Sequence, residues 1–230
     1  MTEPAAPRQS RIQKHNRELI LQGALAAFSA SGFRGATIDQ IAEAAGLSKP
    51  NVLYYFSSKD EIHRCLLTQL LDIWLAPLRD LDPDGEPLDE VLRYVHAKLE
   101  MSRTLPRESR LFAYEILQGA PHLTEILGGE LKALVDQAVT TLQGWIARGR
   151  LRPVEPHHLI FSIWAMTQHY ADFEVQVSAV LGPGHDPYAE AAAFLDNLYR
   201  QMLEVSDPGR ATAEADRPGR SGSDWPARPR

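Results

Sequence analysis

Residues 37–56 read TIDQIAEAAGLSKPNVLYYF, two short amphipathic stretches separated by Ala-Gly-Leu-Ser. Thr37 has the hydroxyl of a helix N-cap, and Ile38, Ile41, Ala42 and Ala45 follow it at helical spacing. Gly46 stops that helix, because a residue without a β-carbon takes the left-handed turn backbone at no steric cost. Ser48 then caps a second helix that reaches about Tyr55. Two helices joined by so short a turn cross steeply and need small residues at the crossing, for which Ala42 and Gly46 are the candidates. Ile41, Ala45, Leu47, Val52 and Tyr55 fall at the inward positions of such a unit.

What remains outward on the second helix is Ser48, Lys49, Pro50, Asn51 and Tyr54. These are donors and acceptors suited to base edges, placed at the helix end that enters a major groove in helix-turn-helix readers. Thr37, Tyr55 and Lys59 are candidates for backbone phosphates. The plain alternative is a solvated helical hairpin whose polar face recognises nothing. Arg8, Arg11, Lys14 and Arg17 precede the motif, either as a phosphate or minor-groove arm or as ordinary solvated charge.

Working outward, apolar residues recur with helical period in one segment after another, so the chain reads as all-α. A first helix spans about 8–31, with Ile12, Leu19, Ala24, Ala27 and Phe28 on one face. A long one begins at Ser57 or Ser58, where Glu61 completes a capping box, and runs through Trp74 until Pro77 breaks or kinks it. Beyond Asp82-Pro-Asp-Gly-Glu-Pro87, helices are expected over about 88–103, 107–118, 121–148, 156–181 and 187–205. The last two carry more apolar surface than one neighbour would cover, which suits a subunit interface or a buried monomer core. The division is a helix-turn-helix domain over 1–60, a helical ligand-binding and dimerisation domain over 61–205, and a tail over 206–230. Pro, Gly, Ser and Arg crowd that tail, leaving it too little apolar surface to order.

The chain has 230 residues, 44% hydrophobic, and a net charge of −6. As a whole that charge argues against nucleic acid. By segment, residues 1–60 hold seven basic against five acidic side chains, residues 61–205 hold 12 against 21, and the tail five against four. The cation excess of the folded part therefore sits with the helix pair. No apolar run is long enough to span a bilayer and the N-terminus lacks a signal-peptide core, so a cytoplasmic location without a membrane partner is expected. The lone cysteine, Cys65, excludes an internal disulfide and a cysteine zinc cluster. No His-Glu-x-x-His, Gly-x-Ser-x-Gly or phosphate loop is present, and the adjacent His157 and His158 point to different helix faces. Neither a catalytic residue, a metal site nor a cofactor is expected, and a hydrolytic or metal-dependent enzyme is the remote alternative.

GFRGATIDQIAEAAGLSKPNVLYYFSSKDEI resembles the DNA-binding signature of the TetR family of bacterial one-component regulators. LDIWLAPL, LKALVDQ and HLIFSIWAMTQHYADFEVQV resemble the ligand domain of the subgroup of pyrimidine-utilisation repressors, which sense uracil and thymine. The likeness covers about 10–203. It implies a regulator, most simply a repressor, that binds operator DNA as a homodimer through its last two helices and is released by a small planar ligand. It also points at Trp74, Trp164 and Gln168 as the ligand-binding residues.

The residues suit that role. Trp164 and Gln168 lie one turn apart on one helix face, Trp74 comes from another helix, and a carboxamide beside flat indoles complements the N–H and C=O edge of a pyrimidine. The bland alternative has both tryptophans as core packing and Gln168 bonded to a backbone carbonyl. Tyr114, His169, Tyr170 and Asp172 are further candidates, although the last three point around the helix in several directions. A different planar metabolite, fatty acid derivative or drug would fit the same fold. Lys59 and Trp74 share one helix fifteen residues apart, about 22 Å, so a ligand at Trp74 can tilt the rod that ends at the reader. A dimer must hold its recognition helices about 34–36 Å apart, and small tilts break that spacing.

Overall fold

The computed structural model describes residues 11–205, and within them every regular element is helical. Arg8 of the basic arm and the proposed tail over 206–230 lie outside the described residues.

Helix α1, Arg11–Gly35, bends at Gly32, whose φ of 66° lies in the left-handed region. Ile12 does not join its buried face: it is 71% exposed, because the apolar pattern becomes continuous only from Ile20, Leu21 and Ala24 to Ala27 and Phe28. In α2, Ile38–Ala44, the Thr37 hydroxyl accepts from the Gln40 amide while the Gln40 side chain accepts from the Thr37 amide, a complete capping box. The turn to α3, Lys49–Tyr55, has Leu47 N–H donating to Ala42 O and Gly46 N–H to Glu43 O around a left-handed Gly46. This is the hydrogen-bond pattern of a Schellman stop. Gly46 thus serves the turn and makes no close approach. The backbone crossing that demands a missing side chain is at Gly23 of α1, where a β-carbon would stand 2.7 Å from Ile41 O and 2.8 Å from Ala45 N.

Helix α4, Lys59–Arg79, starts at Ser58, whose hydroxyl accepts from the Glu61 amide. The Glu61 carboxylate closes on Ser57 rather than Ser58, taking its amide and hydroxyl at 2.7 Å each. Pro77 does not end α4; the helix runs two residues further and closes with Asp80 N–H on Ala76 O. So near a C-terminus, proline removes one donor and the remaining turn survives.

Helices α5 (Pro87–Thr104) and α6 (Pro106–Leu117) follow, then a helical stretch made of α7 (Thr124–Ile126), a π turn (Leu127–Leu131) and α8 (Lys132–Ala147). The expected single helix over 156–181 is two, α9 (Pro156–Asp172) and α10 (Glu174–Leu181), broken at Phe173 with φ −115° and ψ 30°. Arg110 of α6 explains the break. Its guanidinium donates to Ala171 O at 3.0 Å and pairs with Glu174 at 2.8 Å, claiming the carbonyl that a continuing helix would use. Helix α11, Pro187–Leu203, closes the fold.

Two apolar cores meet along α4. Its first half, Ile62, Leu66, Leu67 and Leu70, packs with α1–α3 and with Leu111 of α6 and Leu123. Its second half, Leu71, Leu75 and Leu78, packs with α5, α8, α9 and α11. One rod therefore belongs to both cores, and α6 touches the reader's core from the other side.

Candidate effector cavity and DNA-reading face

On the reader, Ser48 caps α3 through the Asn51 amide, and Pro50 stands in the first turn. Lys49 is exposed and pairs with Asp39 of α2 at 2.9 Å. Tyr54 is 73% exposed and meets Tyr55 edge to face, with ring centroids 5.1 Å apart. Thr37, Ser48, Lys49, Pro50 and Tyr54 are thus exposed and Asn51 is half-buried. Two candidates are engaged inside. The Tyr55 hydroxyl accepts from the Asn16 amide nitrogen at 3.0 Å, and Lys59 Nζ donates to Phe33 O at 2.7 Å and Ala36 O at 2.8 Å. Lys59 therefore caps the C-terminal carbonyls of α1, where the helix dipole favours a cation. Arg17 is also structural: its guanidinium lies 4.2 Å from the Phe56 ring centroid and donates to Tyr55 O at 3.1 Å.

In the body, Trp74, Trp164 and Gln168 line one cavity of about 770 Å³, with Leu71, Leu75, Phe112, Leu127 and Leu131 on its apolar walls. The π turn delivers Leu127 and Leu131 to that wall, the kind of site at which π turns concentrate. Trp74 is held edge to face against Phe112, centroids 4.9 Å apart. Trp164 donates its indole N–H to the Tyr94 hydroxyl at 2.6 Å. The Gln168 carboxamide forms no hydrogen bond with any described residue, whereas Trp74 is buried and Trp164 packs against the apolar core, as the bland alternative expects of the tryptophans. Tyr114 and Asp172 line the same cavity; His169 and Tyr170 face a separate hollow between α9, α10 and α11.

Sequence reasoning missed Lys98 of α5. Its side chain is 5% exposed, lines the cavity, and holds Nζ 5.3 Å from the Trp74 ring centroid. Among the described residues it has neither a hydrogen-bond acceptor nor an ion-pair partner. Burial pulls its ammonium down to about 8, opposed by the Asp172 carboxylate. Asp172 is itself raised by burial and accepts from the Ser109 hydroxyl at 2.6 Å. Nothing in AKLEMS marked Lys98 as inward, since lysine at a helical period usually signals the solvated face.

The cavity thus offers flat aromatic faces, an amide with donor and acceptor free, and one unpartnered cation. Such a set has the chemistry to receive a planar polar molecule, and the lining holds no nucleophile paired with its base.

Residues 20–64 match the family model described as bacterial regulatory proteins, tetR family, and residues 67–206 match that of the YcdC-like protein, C-terminal region. The HTH-type transcriptional regulator RutR of Escherichia coli K12 is 50% identical over 201 residues, spanning 87% of this chain and 95% of that protein. SCO4942 from Streptomyces coelicolor shares the fold with a TM-score of 0.68 at 22% identity, over 83% of this chain and 99% of that one. AibR, solved with isovaleryl coenzyme A and operator DNA, aligns with a TM-score of 0.63 at 17% identity over 83% and 100%. These relatives are named regulators, not enzymes, and among the described residues no helix is long and apolar enough to cross a membrane. The chain belongs to the TetR family of ligand-responsive, DNA-binding transcriptional regulators.

Proposed function

We propose that this regulator is a cytoplasmic repressor that binds operator DNA as a homodimer and is released by uracil or thymine. The observation that carries the effector reading is the meeting of Trp74, Trp164 and Gln168, from two helices, in one cavity with an otherwise unused carboxamide. A pyrimidine ring lies against the indoles, Gln168 pairs with its imide N–H and C=O, and the Lys98 ammonium donates to a second carbonyl oxygen. The 50% identity to RutR supports the same subgroup. On the DNA side, Ser48, Lys49, Pro50, Asn51 and Tyr54 read the major groove, and Thr37 faces the backbone. Lys59 and Tyr55 shape the reader instead of touching phosphate. Helices α9 to α11 form the pairing face, where Phe161, Phe173, Val175, Val180 and Phe194 lie exposed.

The release mechanism follows from α4, which is continuous from Lys59 to Trp74. Ligand closing on Trp74 shifts the rod and with it the spacing of the two readers. By linkage, operator DNA lowers pyrimidine affinity by the same factor by which pyrimidine lowers operator affinity. Titration calorimetry with uracil and thymine, paired with operator gel shifts, tests the proposal. Absence of binding below millimolar pyrimidine sinks the effector assignment and leaves DNA binding standing. A second reading, a larger apolar effector, draws on the leucine-lined volume beyond the tryptophans; it predicts displacement of pyrimidine by such a compound in the same titration.

A further inference from the structure

A second cavity, of about 820 Å³, opens where the reader meets the body and is lined by His63, Glu115 and His122 together with Phe33, Arg107 and Tyr114. His63 is on the first turns of α4, Glu115 is on α6, and His122 is on the loop after α6. One potential ligand atom from each lies within 4.8 Å of the others. His122 Nδ1 stands 3.1 and 3.2 Å from the two Glu115 oxygens, and His63 Nε2 is 4.0 Å from Glu115 Oε2. A tetrahedral metal ion with bonds of about 2.0–2.1 Å sets its ligands about 3.3 Å apart. The His122–Glu115 pair already has that spacing, and His63 would close in from 4.0 Å to share the ion.

His63 is the anomaly that calls for an explanation. It is 1% exposed, and neither of its ring nitrogens has a hydrogen-bond partner. Leaving buried polar atoms unpaired is costly, so such atoms are rare. Phe28 and Phe33 pack on its ring at 4.9 and 4.5 Å between centroids, so the imidazole sits against an apolar wall with both nitrogens unspent. Asp60 Oδ1 lies 3.5 Å from His122 Nε2, on the ring edge away from Glu115. A carboxylate behind a ligating histidine is the usual orienting partner in zinc sites. With Glu115, Asp60 also balances the charge of a divalent ion.

We propose that His63, Glu115 and His122 form a Zn2+ site, oriented by Asp60, that ties the start of α4 to α6 and the loop after it. Two imidazoles and one carboxylate suit zinc, whereas Mg2+ and Ca2+ prefer more oxygen ligands. The fourth position opens into the cavity and takes water. None of the three ligands lines the pyrimidine cavity, although Tyr114 borders both cavities, so the clamp stands or falls apart from the effector assignment.

The test uses the untagged full-length protein, stripped with chelator and titrated with ZnCl2 by calorimetry, with metal content measured after dialysis. About one zinc per chain is expected, with a rise in melting temperature on loading. His63→Phe fills the space between Phe28 and Phe33 with a ring of similar shape and should stay folded; it and His122→Gln should each weaken zinc at least about 100-fold. Asp60→Asn should weaken it about tenfold. A wild-type protein that retains no zinc after dialysis, or a His63→Phe variant that retains it as well as wild type, overturns the site.

Discussion

Trp164 and Tyr94 are joined by a hydrogen bond of 2.6 Å from the indole N–H to the phenol oxygen. Trp164 therefore spends its one polar atom inside the protein and presents only its ring to the cavity. Tyr94 is buried, and burial pushes its hydroxyl pKa up, so it remains a neutral acceptor throughout the physiological range. Tyr94→Phe keeps the packing and deletes the acceptor, leaving the indole N–H without a partner. We expect thermal unfolding to show a loss of about 1–3 kcal/mol, and calorimetry to show weaker pyrimidine binding because the stacking surface is no longer fixed. Unchanged affinity would mean that Trp164 is positioned by packing alone.

In the proposed complex Gln168 carries the directional part of recognition, since its carboxamide has no other described partner. Gln168→Ala should weaken uracil at least about tenfold, the cost of roughly one to two hydrogen bonds. Operator affinity without ligand should stay as in wild type, because Gln168 lies on α9, far along the chain from the reader. Uracil binding that persists in the variant removes the proposed contact.

Lys98 makes stability depend on pH in a defined direction. Its folded pKa is lowered from 10.5 to about 8, so between those values the unfolded chain binds more protons than the folded one. Stability must then rise as pH rises through that window, and below about pH 8 the fold bears the full cost of the buried ammonium. Asp172 and Arg110 are the charged groups beside it in the cavity, and Asp172 only partly offsets the burial. Lys98→Met keeps the length and removes the charge. At pH 7 it should stabilise the ligand-free protein by up to about 3 kcal/mol, flatten the alkaline rise in denaturant titrations, and impair pyrimidine binding. A destabilised variant would show that Lys98 has a protein partner after all.

Much of this was legible in the sequence because it is local. Thr37 and Ser48 cap as their types suggest, Gly46 adopts the turn it is suited to, and Pro87, Pro106, Pro156 and Pro187 each begin a helix where the missing amide costs nothing. Trp74, Trp164 and Gln168 line one cavity, but helical spacing relates only Trp164 to Gln168 and is equally that of core packing, so it was the family likeness that singled out all three. What escaped is long-range. The α9–α10 break depends on Arg110, more than sixty residues upstream, and the His63, Glu115 and His122 cluster joins positions that no spacing rule connects. Lys98 escaped because its inward aim contradicts its residue type.

Gly23 is the tightest point between α1 and α2. Gly23→Ala would place a methyl 2.7 Å from Ile41 O and 2.8 Å from Ala45 N, both backbone atoms that cannot rotate away. The helices must separate, so a cost of at least about 1–3 kcal/mol is expected, with operator binding lost before the body unfolds. Gel shifts and circular dichroism melts would show this; retention of both properties would mean that the helix pair is more loosely packed than it stands here.

Lys49 and Lys59 separate contact from scaffold within the reader. Lys49 is exposed and held only by Asp39, an exposed ion pair that a phosphate can displace at little cost. Lys49→Ala should weaken operator binding and lower the slope of log affinity against log salt by about one unit. Lys59 donates hydrogen bonds to Phe33 O and Ala36 O and sits 4.7 Å from the Phe33 ring centroid. Lys59→Met should lower the melting temperature, since two carbonyls lose their donor, and should reduce operator affinity without changing the salt slope, because no phosphate contact is lost. A slope that falls in Lys59→Met as it does in Lys49→Ala would show that Lys59 leaves those carbonyls for phosphate when DNA binds, making the capping contact a feature of the free protein alone.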